Sequence, residues 1–533
     1  MNITNKEESM IRQVGTHLTG MDNLFFDLET PRRLMTICSI WQFKQGLDPT
    51  LILNALEKLC SQYPKFSLVP KNGNYFETPI WSHPSKDWNF RKNLVFHSLK
   101  KPTKKCLQEY IASQYVKPFS YEKPLWQAHF ISGFENNQCI FLWKAHHCMS
   151  DGIGVMRAVL LSTTSLDPTK QQLIDINHYK KRQLALQHYK KKKILDTLTF
   201  KQENNNNNRH NPQRNNGLRK TKAIYQSIIT KCMPFLFWLL WIWESAMMLK
   251  DQVYHEVWTI WMMFFPFLYK RHTFLYKGEQ TYDKIIAWTE DMAISDIQYI
   301  QQTFGQHYTI NDIMLMVFTQ TIQRYLQYHH QQRRRQNQNQ QNKLTLRIVI
   351  PLSYRLPTDW EMKNIVTGNI LQITTTAEDH SSSTSSNQLL HTIHRNMLCV
   401  KRSYLPYFTY QIYIQGILRY FPFLKLPSWV QNQYTELPHA IFTNIIGPKE
   451  PTYFGGQEMT HLHALAPQNS KGSISVGLVS YCKKINISML TDDHPDYPDL
   501  ANVLCRIFVS EFNSLLTEAH MKNKGKINTE VIK

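Results

Sequence analysis

A continuous apolar segment that ends in two histidines constrains this chain more than any other feature of its sequence. Cys139-Ile140-Phe141-Leu142-Trp143 is apolar throughout, which is typical of a β-strand covered on both faces. The strand runs into His146-His147-Cys148-Met149-Ser150-Asp151-Gly152, and residues 154–161 then predict a helix. This local order is unusual and directs attention to the end of the strand as the place where chemistry can occur.

Strands and helices alternate along the rest of the chain. Residues 35–43 place apolar side chains at every second position, as in a half-buried strand, and Asp48 is suited to cap the following helix. The same criteria predict strands at 346–350 and 474–479, and helices over 311–322 and 500–516. A chain of 533 residues, 42% of them hydrophobic, is long enough for two domains. We therefore expect an α/β protein with an N-terminal domain over 1–178 and a C-terminal domain over 281–533.

Two inserted segments separate these halves. Residues 179–222 contain the basic run Lys190 to Lys193 and the asparagine run Asn204 to Asn208. Such a composition cannot bury enough apolar surface to offset the entropy of ordering, so it predicts a disordered insertion. Residues 223–280 are rich in apolar and aromatic side chains instead. Shorter polar stretches at 331–342 and 381–386 predict surface loops.

The apolar insertion contains two hydrophobic segments, 232–243 and 253–269. Spanning a bilayer takes about 20 residues, and both segments are near that lower limit. Glu244 and Glu256 are carboxylates that a true span would tolerate poorly. Tryptophan is abundant here and suits the membrane interface. We expect a helical hairpin that lies in or dips into one leaflet, and a pair of helices buried against the protein is the alternative.

The net charge indicates which kind of partner the protein binds, and the cysteines indicate the redox state of its compartment. The formal net charge of +21 favours an anionic partner or surface, such as nucleic acid, phospholipid headgroups or a phosphorylated cofactor. The nine cysteines include no Cys-x-x-Cys pair, which favours a reducing compartment. Residues 1–15 lack the apolar core of a signal peptide. We therefore expect the protein on the cytosolic side.

Imidazole is the side chain best suited to accept a proton near neutral pH, because its ordinary pKa is about 6.5. Neighbouring side chains on an extended strand point to opposite faces, so only one of His146 and His147 can face a given cleft. Cys148 as a thiol nucleophile is a weaker alternative, since a lone cysteine is more often a small core residue.

Several other functional classes lack their motifs. The sequence has no Gly-x-Ser-x-Gly nucleophile elbow, no His-Glu-x-x-His zinc helix and no phosphate-binding Gly-x-x-x-x-Gly-Lys loop. We expect no metal site. The basic run Arg333 to Arg335 lies in a Gln/Asn-rich stretch without interleaved aromatics, so we expect no nucleic-acid binding.

Four motifs in order resemble the wax ester synthase/acyl-CoA:diacylglycerol acyltransferase family, within the chloramphenicol acetyltransferase-like superfamily. They are Pro124-Leu125-Trp126, His146 to Gly152, Asn311-Asp312 and Asn444-Ile445-Ile446-Gly447-Pro448. Asp22, Pro351 to Arg355, Gly368-Asn369 and Ser480-Tyr481 also stand where similar sequences place such residues. The family's Asn-Val-Pro-Gly-Pro motif appears with isoleucines at 445 and 446, and the inserted segments are longer than in bacterial members.

The resemblance implies two chloramphenicol acetyltransferase-like domains with an active-site tunnel between them, and transfer of a long-chain acyl group from acyl-CoA to a hydrophobic alcohol. Diacylglycerol would give triacylglycerol, and a fatty alcohol would give a wax ester. It further implies that His147 is the general base, that Asp151 holds the loop, that Gly152 permits the turn, and that Asn311 and Asn444 support the site. No cofactor beyond the acyl-CoA co-substrate is expected.

Two other functions remain open at this point. One is a condensation-type or short-chain alcohol acyltransferase of the same fold, and the other is a non-catalytic lipid-binding membrane protein. The expected location is the cytosolic face of a membrane, at the endoplasmic reticulum, lipid droplet or plasma membrane.

Overall fold

The structure is a computed structural model that describes residues 14–71, 76–160, 246–262, 265, 281–333, 343–356, 359–376, 383–425, 427–468 and 473–531. The chain divides into a large compact unit of residues 1–166, 258–355 and 360–533, and a smaller unit of residues 167–257 and 356–359. Both large sheets belong to the first unit.

The described strands, in chain order, are β1 (Thr36–Phe43), β2 (Val69–Lys71), β3 (Ile80–Ser82), β4 (Leu94–Ser98), β5 (Trp126–Phe134), β6 (Gln138–His146), β7 (Lys284–Trp288), β8 (Met292–Ala293), β9 (Lys343–Ser353), β10 (Val366–Thr376), β11 (Ala440–Ile446), β12 (Tyr453–Phe454), β13 (Gln457–Leu465), β14 (Ile474–Tyr481) and β15 (Lys484–Asp492).

The described helices are α1 (Gly20–Asp27), α2 (Pro49–Gln62), α3 (Lys104–Tyr115), α4 (Gly152–Leu160), α5 (246–262), α6 (Ile294–Phe304), α7 (Ile310–Arg333), α8 (Ser383–Arg402), α9 (Leu405–Phe408), α10 (Ser428–Glu436) and α11 (Leu500–Val531). Helix α9 continues directly into a π-helical segment, Thr409–Leu418. Short 3₁₀ turns cover Pro64–Ser67, Phe90–Asn93, Glu135–Asn137 and Pro422–Leu424.

The first sheet has six strands in the order β12-β13-β1-β6-β5-β4. Strand β6 lies inside this sheet, antiparallel to β1 and β5, with His146 opposite Thr36. Its burial on both faces agrees with the apolar run from Cys139 to Trp143. Strand β13 pairs with β1 although the two are about four hundred residues apart in the chain. The C-terminal half therefore supplies two strands to the first sheet, which the sequence did not predict.

The second sheet has the order β10-β9-β11-β14-β15-β7, with β8 also pairing with β15. Strand β11 is parallel to both of its neighbours, whereas β9 and β10 form a long antiparallel pair. Helices α7, α8 and α11 cover the sheet, and their apolar faces form one core with it. The first sheet has its own core, in which Trp41, Trp126 and Trp143 are fully buried.

The prediction of an α/β fold in two halves is confirmed. Asp48 caps α2, since its side chain accepts hydrogen bonds from the backbone N–H groups of Thr50 and Leu51. The loop predicted at 381–386 is wrong from Ser383 onward, where α8 begins. The apolar face of α8 packs into the second core, and Ser386 donates a hydrogen bond to Glu518 at 2.8 Å. Residues 331–333 likewise extend α7 instead of starting a loop.

Most of the two insertions lies outside the described residues, including all of 179–222 and the first apolar segment, 232–243. Of the second apolar segment, 253–262 lies in α5, which begins at residue 246. Within the part of the chain that the structure describes, none of the helices combines the length and the apolar character needed to cross a bilayer.

Candidate functional site

The two adjacent histidines at the end of β6 have different surroundings. His146 is fully buried, and its Nδ1 accepts a hydrogen bond from the backbone N–H of Cys148 at 3.0 Å. Its Nε2 lies 2.9 Å from the carboxylate of Glu29. His147, in contrast, lines a cavity in the large unit, and its ring stacks on Phe25 with 3.8 Å between ring centroids. The structure therefore places the second histidine where it can meet a bound molecule.

Asn364 fixes the orientation of the His147 ring. Its Nδ2 donates to Asp22 Oδ1 and to the backbone carbonyl of His147, both at 2.7 Å. These bonds identify Oδ1 as the acceptor of the third contact, which is His147 Nδ1 at 3.0 Å. His147 Nδ1 must then carry the proton. The other ring nitrogen, Nε2, is left unprotonated and is the atom that can accept a proton from a molecule in the cavity.

Asp22, which accepts the hydrogen bond from Asn364, forms a buried ion pair with Lys65. Lys65 Nζ lies 2.7 Å from Asp22 Oδ2 and donates a second hydrogen bond to the carbonyl of Met149 at 3.1 Å. Both charged groups are buried, and the Lys65 ammonium also lies 4.9 Å from the ring centre of Trp81. A buried charge is stable only when it is paired, so Lys65 balances the carboxylate that holds Asn364.

The surroundings of His147 keep its imidazole neutral. Burial of the ring is the main cause and lowers the pKa of His147 to about 4, against the opposing attraction of the Asp151 carboxylate. A histidine with this pKa is unprotonated at pH 7 and can act as a base without first losing a proton.

Asp151 lines the cavity, and its carboxylate ties the histidine loop to the other half of the fold. Its Oδ1 accepts from the N–H of Gly154 at 2.7 Å, and its Oδ2 accepts from Arg355 Nη2 at 3.0 Å and from the N–H of Ile365 at 2.9 Å. Arg355 also donates to the carbonyl of Lys363. These bonds hold the histidine loop against the residues that precede β10.

Two glycines, Gly152 and Gly154, follow Asp151 in the first turn of α4. An added Cβ on Gly152 would lie 3.3 Å from Ile445 Cδ1, which is the end of a flexible side chain, and the backbone of Gly152 is not left-handed. The role of Gly152 in permitting a turn therefore stays a prediction. Gly154 is more constrained, because a Cβ atom there would collide with Ser150 Oγ and lie 2.8 Å from Arg355 Nη2. Only glycine lets the chain pass this close to the Asp151–Arg355 pair.

The cavity has a volume of about 270 Å³ and draws its lining from both halves of the large unit. Most of the lining is apolar, with Met21, Met35, Ile37, Val155, Met156, Val349, Ile441 and Leu465 among the side chains. The polar groups are few and include Ser39, His147, Ser353, Thr367, Thr443 and Asn444. Asn444 is held by Asn311, whose Oδ1 accepts its Nδ2–H at 2.6 Å. An apolar pocket with a few convergent polar groups is the usual form of a small-molecule site.

The motif Pro124-Leu125-Trp126 lies behind the histidines and is not part of the cavity lining. The carbonyl of Leu125 accepts from the N–H of His146 at 2.8 Å, and that of Pro124 accepts from Asn93. Trp126 stacks on Trp143 with 5.0 Å between ring centroids and donates to the carbonyl of Phe66. These residues support the strand that carries the histidines.

The remaining predicted residues, Asp312, Gly447 and Pro448, form hydrogen bonds within the fold. Asp312 is buried at the start of α7, where its carboxylate accepts from the N–H of Thr309 and lies 2.8 Å from His394 Nδ1. Gly447 donates its N–H to the carbonyl of Ser480 at 3.0 Å, and a side chain there would collide with that carbonyl. The carbonyl of Pro448 accepts from the N–H of Cys482.

Several residues of the site were not predictable from sequence motifs. Asn364 and Lys65 carry no motif that would have identified them, whereas Asp22 and Arg355 were noted only as matches to similar sequences. Gly154 could have been identified from the sequence, because it follows Asp151 by three residues. Cys148 is fully buried and is not among the cavity-lining residues, which argues against a thiol nucleophile. Among the described residues, His, Cys, Asp and Glu side chains form no group of three or more that could hold a metal ion.

Comparison with known proteins gives matches over both halves. The model of the wax ester synthase/diacylglycerol acyltransferase catalytic domain matches residues 18–204, and that of the C-terminal domain of the same family matches residues 364–515. Together these matches cover more than half of the chain.

Similar sequences include a Mycobacterium tuberculosis protein named probable diacylglycerol O-acyltransferase, 24% identical over 26% of this chain and 52% of the relative. The O-acyltransferase WSD of Acinetobacter baylyi is 25% identical over 30% of this chain and 34% of that protein. The chain thus matches about half of the first relative's length and a third of the second's. The wax ester synthase/diacylglycerol acyltransferase of Marinobacter aquaeolei VT8 has a similar fold, with a TM-score of 0.54, 14% identity, and coverage of 95% of this chain and 99% of that one.

Proposed function

Because this chain belongs to the wax ester synthase/diacylglycerol acyltransferase family, we propose that it is an acyl-CoA-dependent O-acyltransferase that esterifies a hydrophobic alcohol. The observation that carries this proposal is His147, which lines an apolar cavity with Nε2 unprotonated and Nδ1 held by Asn364. The acceptors we propose are diacylglycerol, giving triacylglycerol, and a fatty alcohol, giving a wax ester.

In the proposed reaction, His147 Nε2 removes the hydroxyl proton as the alcohol oxygen attacks the thioester carbonyl. The tetrahedral intermediate collapses, the C–S bond breaks, and His147 returns the proton to the leaving CoA thiolate. A thioester is already activated, so a covalent acyl-enzyme is unnecessary. A positioned base contributes about 10²–10⁴ in rate, and the remainder comes from positioning and oxyanion stabilisation. The amide of Asn444, held by Asn311, is the group we assign to support the reacting carbonyl.

The proposal is tested by incubating the full chain with radiolabelled oleoyl-CoA and either dioleoylglycerol or hexadecanol, and separating the esters by thin-layer chromatography. We expect His147→Ala to lower ester formation by about 10²–10⁴. His129→Ala is the matched control, since His129 is also a buried histidine whose pKa burial lowers to about 4, but it contacts Tyr110 and is not part of the cavity lining. Full activity in His147→Ala, or no ester from the wild type, contradicts the proposal. Parallel reactions with acetyl-CoA and with a carrier-protein thioester distinguish the short-chain and condensation-type alternatives.

We also propose that the protein works at the cytosolic face of a membrane, at the endoplasmic reticulum, lipid droplet or plasma membrane. Exposed apolar side chains on α5 support this location, with Leu249, Val253 and Val257 spaced by four residues on one face of the helix. Deleting residues 232–269 and repeating membrane fractionation tests the contribution of this segment. Unchanged fractionation would exclude it as the anchor.

A further inference from the structure

A second exposed apolar region lies on the large unit, around α9 and the turn that follows its π-helical continuation. Tyr404, Phe408 and Ile412 are 70%, 52% and 56% exposed and are spaced by four residues, which places them on one face of the helix. Tyr420, at the end of the helix, and Phe421 and Phe423, in the turn that follows, are 69%, 51% and 38% exposed. We call these six side chains the aromatic surface. Soluble proteins rarely leave such a patch uncovered without a use for it.

The turn that carries Phe421 and Phe423 is held by backbone hydrogen bonds. The N–H of Phe421 donates to the carbonyl of Ile417 at 2.8 Å, and that of Leu424 donates to the carbonyl of Phe421 at 3.0 Å. The ring of Phe423 lies 6.0 Å from those of both Phe421 and Phe76, centroid to centroid. The exposed apolar side chains therefore lie on a hydrogen-bonded turn.

The charges around the aromatic surface favour an anionic partner. From residue 380 to residue 435 the sequence contains no Asp or Glu, whereas Lys401, Arg402 and Arg419 are exposed on this segment. The Arg419 guanidinium lies 5.6 Å from the ring centre of Tyr420. Two carboxylates adjoin the region, Glu77 beside Phe76 and Asp27, which pairs with Lys425 at 3.3 Å. The segment itself carries only positive charge.

The π-helical segment that follows α9 packs directly on the candidate site. A side chain on Gly20 in α1 would collide with the carbonyl of Ile414, so the two helices touch backbone to backbone. Tyr410 donates its hydroxyl hydrogen to the carbonyl of Asn364 at 3.1 Å. Helix α1 contributes Met21 and Phe25 to the cavity, so one helix separates the cavity from the segment that bears the aromatic surface.

We propose that the aromatic surface docks on an anionic phospholipid bilayer, with its rings in the interfacial layer and its basic side chains on the headgroups. Tyr, Trp and Phe are the side chains that favour this layer, and nearby Lys and Arg strengthen attachment to anionic lipid. Docking here brings the cavity to the leaflet in which a lipid alcohol is dissolved. That consequence rests on the function proposed above, whereas the docking itself does not.

The experiment measures sedimentation of the full chain with vesicles of phosphatidylcholine alone and of phosphatidylcholine mixed with phosphatidylserine, in the absence of acyl donor and acceptor. We expect the wild type to bind the mixed vesicles more tightly. The triple variant Phe408→Ser, Ile412→Ser and Phe421→Ser should bind at least about tenfold more weakly. Arg419→Gln should weaken binding to the mixed vesicles by roughly fivefold.

Two further triple variants serve as controls. Phe96→Ser, Tyr328→Ser and Met521→Ser remove side chains of similar exposure elsewhere, 69%, 53% and 68%, and should bind like the wild type. Leu249→Ser, Val253→Ser and Val257→Ser test α5. Binding that is lost only in the α5 variant, or that is the same in the aromatic-surface variant and the wild type, overturns the proposal.

Two readouts distinguish lipid docking from misfolding and from self-association. Thermal unfolding of each variant should match the wild type, because the substituted side chains are exposed. If the aromatic-surface variant instead changes the oligomeric state seen by light scattering and the wild type ignores vesicles, the occupant is a second copy of the chain and the lipid proposal fails. Esterification of detergent-dispersed diacylglycerol should be unaffected by the triple variant, so failure of the proposed function is detected separately.

Discussion

Replacing Asn364 by alanine tests whether the hydrogen bond to His147 Nδ1 determines the reactive state of the imidazole. In the native protein Asn364 Oδ1 accepts that proton at 3.0 Å, while its Nδ2 is held by Asp22 at 2.7 Å. Alanine removes these two contacts and the hydrogen bond to the His147 carbonyl, and leaves the His147 ring free to rotate or to adopt the other tautomer. In that tautomer Nε2 carries the proton and cannot act as the base.

The expected loss lies between two limits. A single neutral hydrogen bond contributes about 0.5–1.5 kcal/mol, which corresponds to roughly twofold to tenfold in rate. Complete loss of a positioned base costs about 10²–10⁴. Because the Asn364 variant loses orientation but keeps the imidazole, we expect kcat to fall by about 10- to 100-fold, with KM for acyl-CoA little changed. The loss should be smaller than in His147→Ala.

The molecule contains a matched control for the stability cost. Asn486 Oδ1 lies 2.9 Å from His463 Nδ1, and its Nδ2 donates to Asp291 and to the carbonyl of Leu462, both at 3.0 Å. This buried His–Asn pair has the same chemistry, and neither residue is part of the cavity lining. Asn486→Ala should lower thermal stability about as much as Asn364→Ala but leave kcat within roughly twofold of the wild type.

Steady-state kinetics on both variants, with ester formation as the readout and thermal unfolding measured alongside, decides the matter. Equal losses of kcat in the two variants would mean that general destabilisation, and not the orientation of His147, causes the effect. An Asn364→Ala enzyme with wild-type kcat would refute the assignment of the tautomer.

Three other predictions follow from the described contacts. Gly154→Ala should unfold or inactivate the protein, because the added methyl group has no space beside the Asp151–Arg355 pair. Gly46→Ala is the control and should leave the melting temperature unchanged, because no atom lies within 4 Å of the added Cβ. Lys65→Met should destabilise the protein by about 3–5 kcal/mol in a denaturant titration, because it leaves a buried carboxylate unpaired. Lys92→Met breaks an exposed pair and should leave the stability almost unchanged. Stability should fall as the pH drops from 6.5 towards 4. Burial lowers the pKa of His129, His147 and His463 to about 4 in the folded state, whereas the unfolded chain takes up protons at these histidines near pH 6.5. A melting temperature that is constant over this range would contradict these lowered pKa values.

Local patterns were sufficient to predict the elements that carry the histidines. The strand ending at His146 was predicted because an unbroken apolar run requires cover on both faces, and β6 lies inside its sheet. Alternation predicted the strand β1, but the prediction that it is half-buried was wrong, because β1 lies between β13 and β6 and is buried on both faces. The carboxylate of Asp48 predicted the start of α2. Each of these inferences depends on residues within a few positions of one another, which a sequence displays directly.

Composition was a poorer guide where a polar stretch adjoins an amphipathic one. The serine-rich residues before α8 look like a loop, but the helix begins at Ser383 because the apolar face that follows packs into the second core. Packing free energy shared along a helix can outweigh the weak local preferences of its first turn.

The sequence by itself determined that this is an α/β protein with a histidine at the end of a covered strand, because periodicity and hydrophobicity act over short distances. Only the tertiary structure decided what surrounds that histidine. Asn364 is 217 residues from His147 in the chain, Arg355 is 204 residues from Asp151, and β13 joins the first sheet from the far half. Such contacts form where two halves pack together, and no short-range pattern in either partner specifies the other.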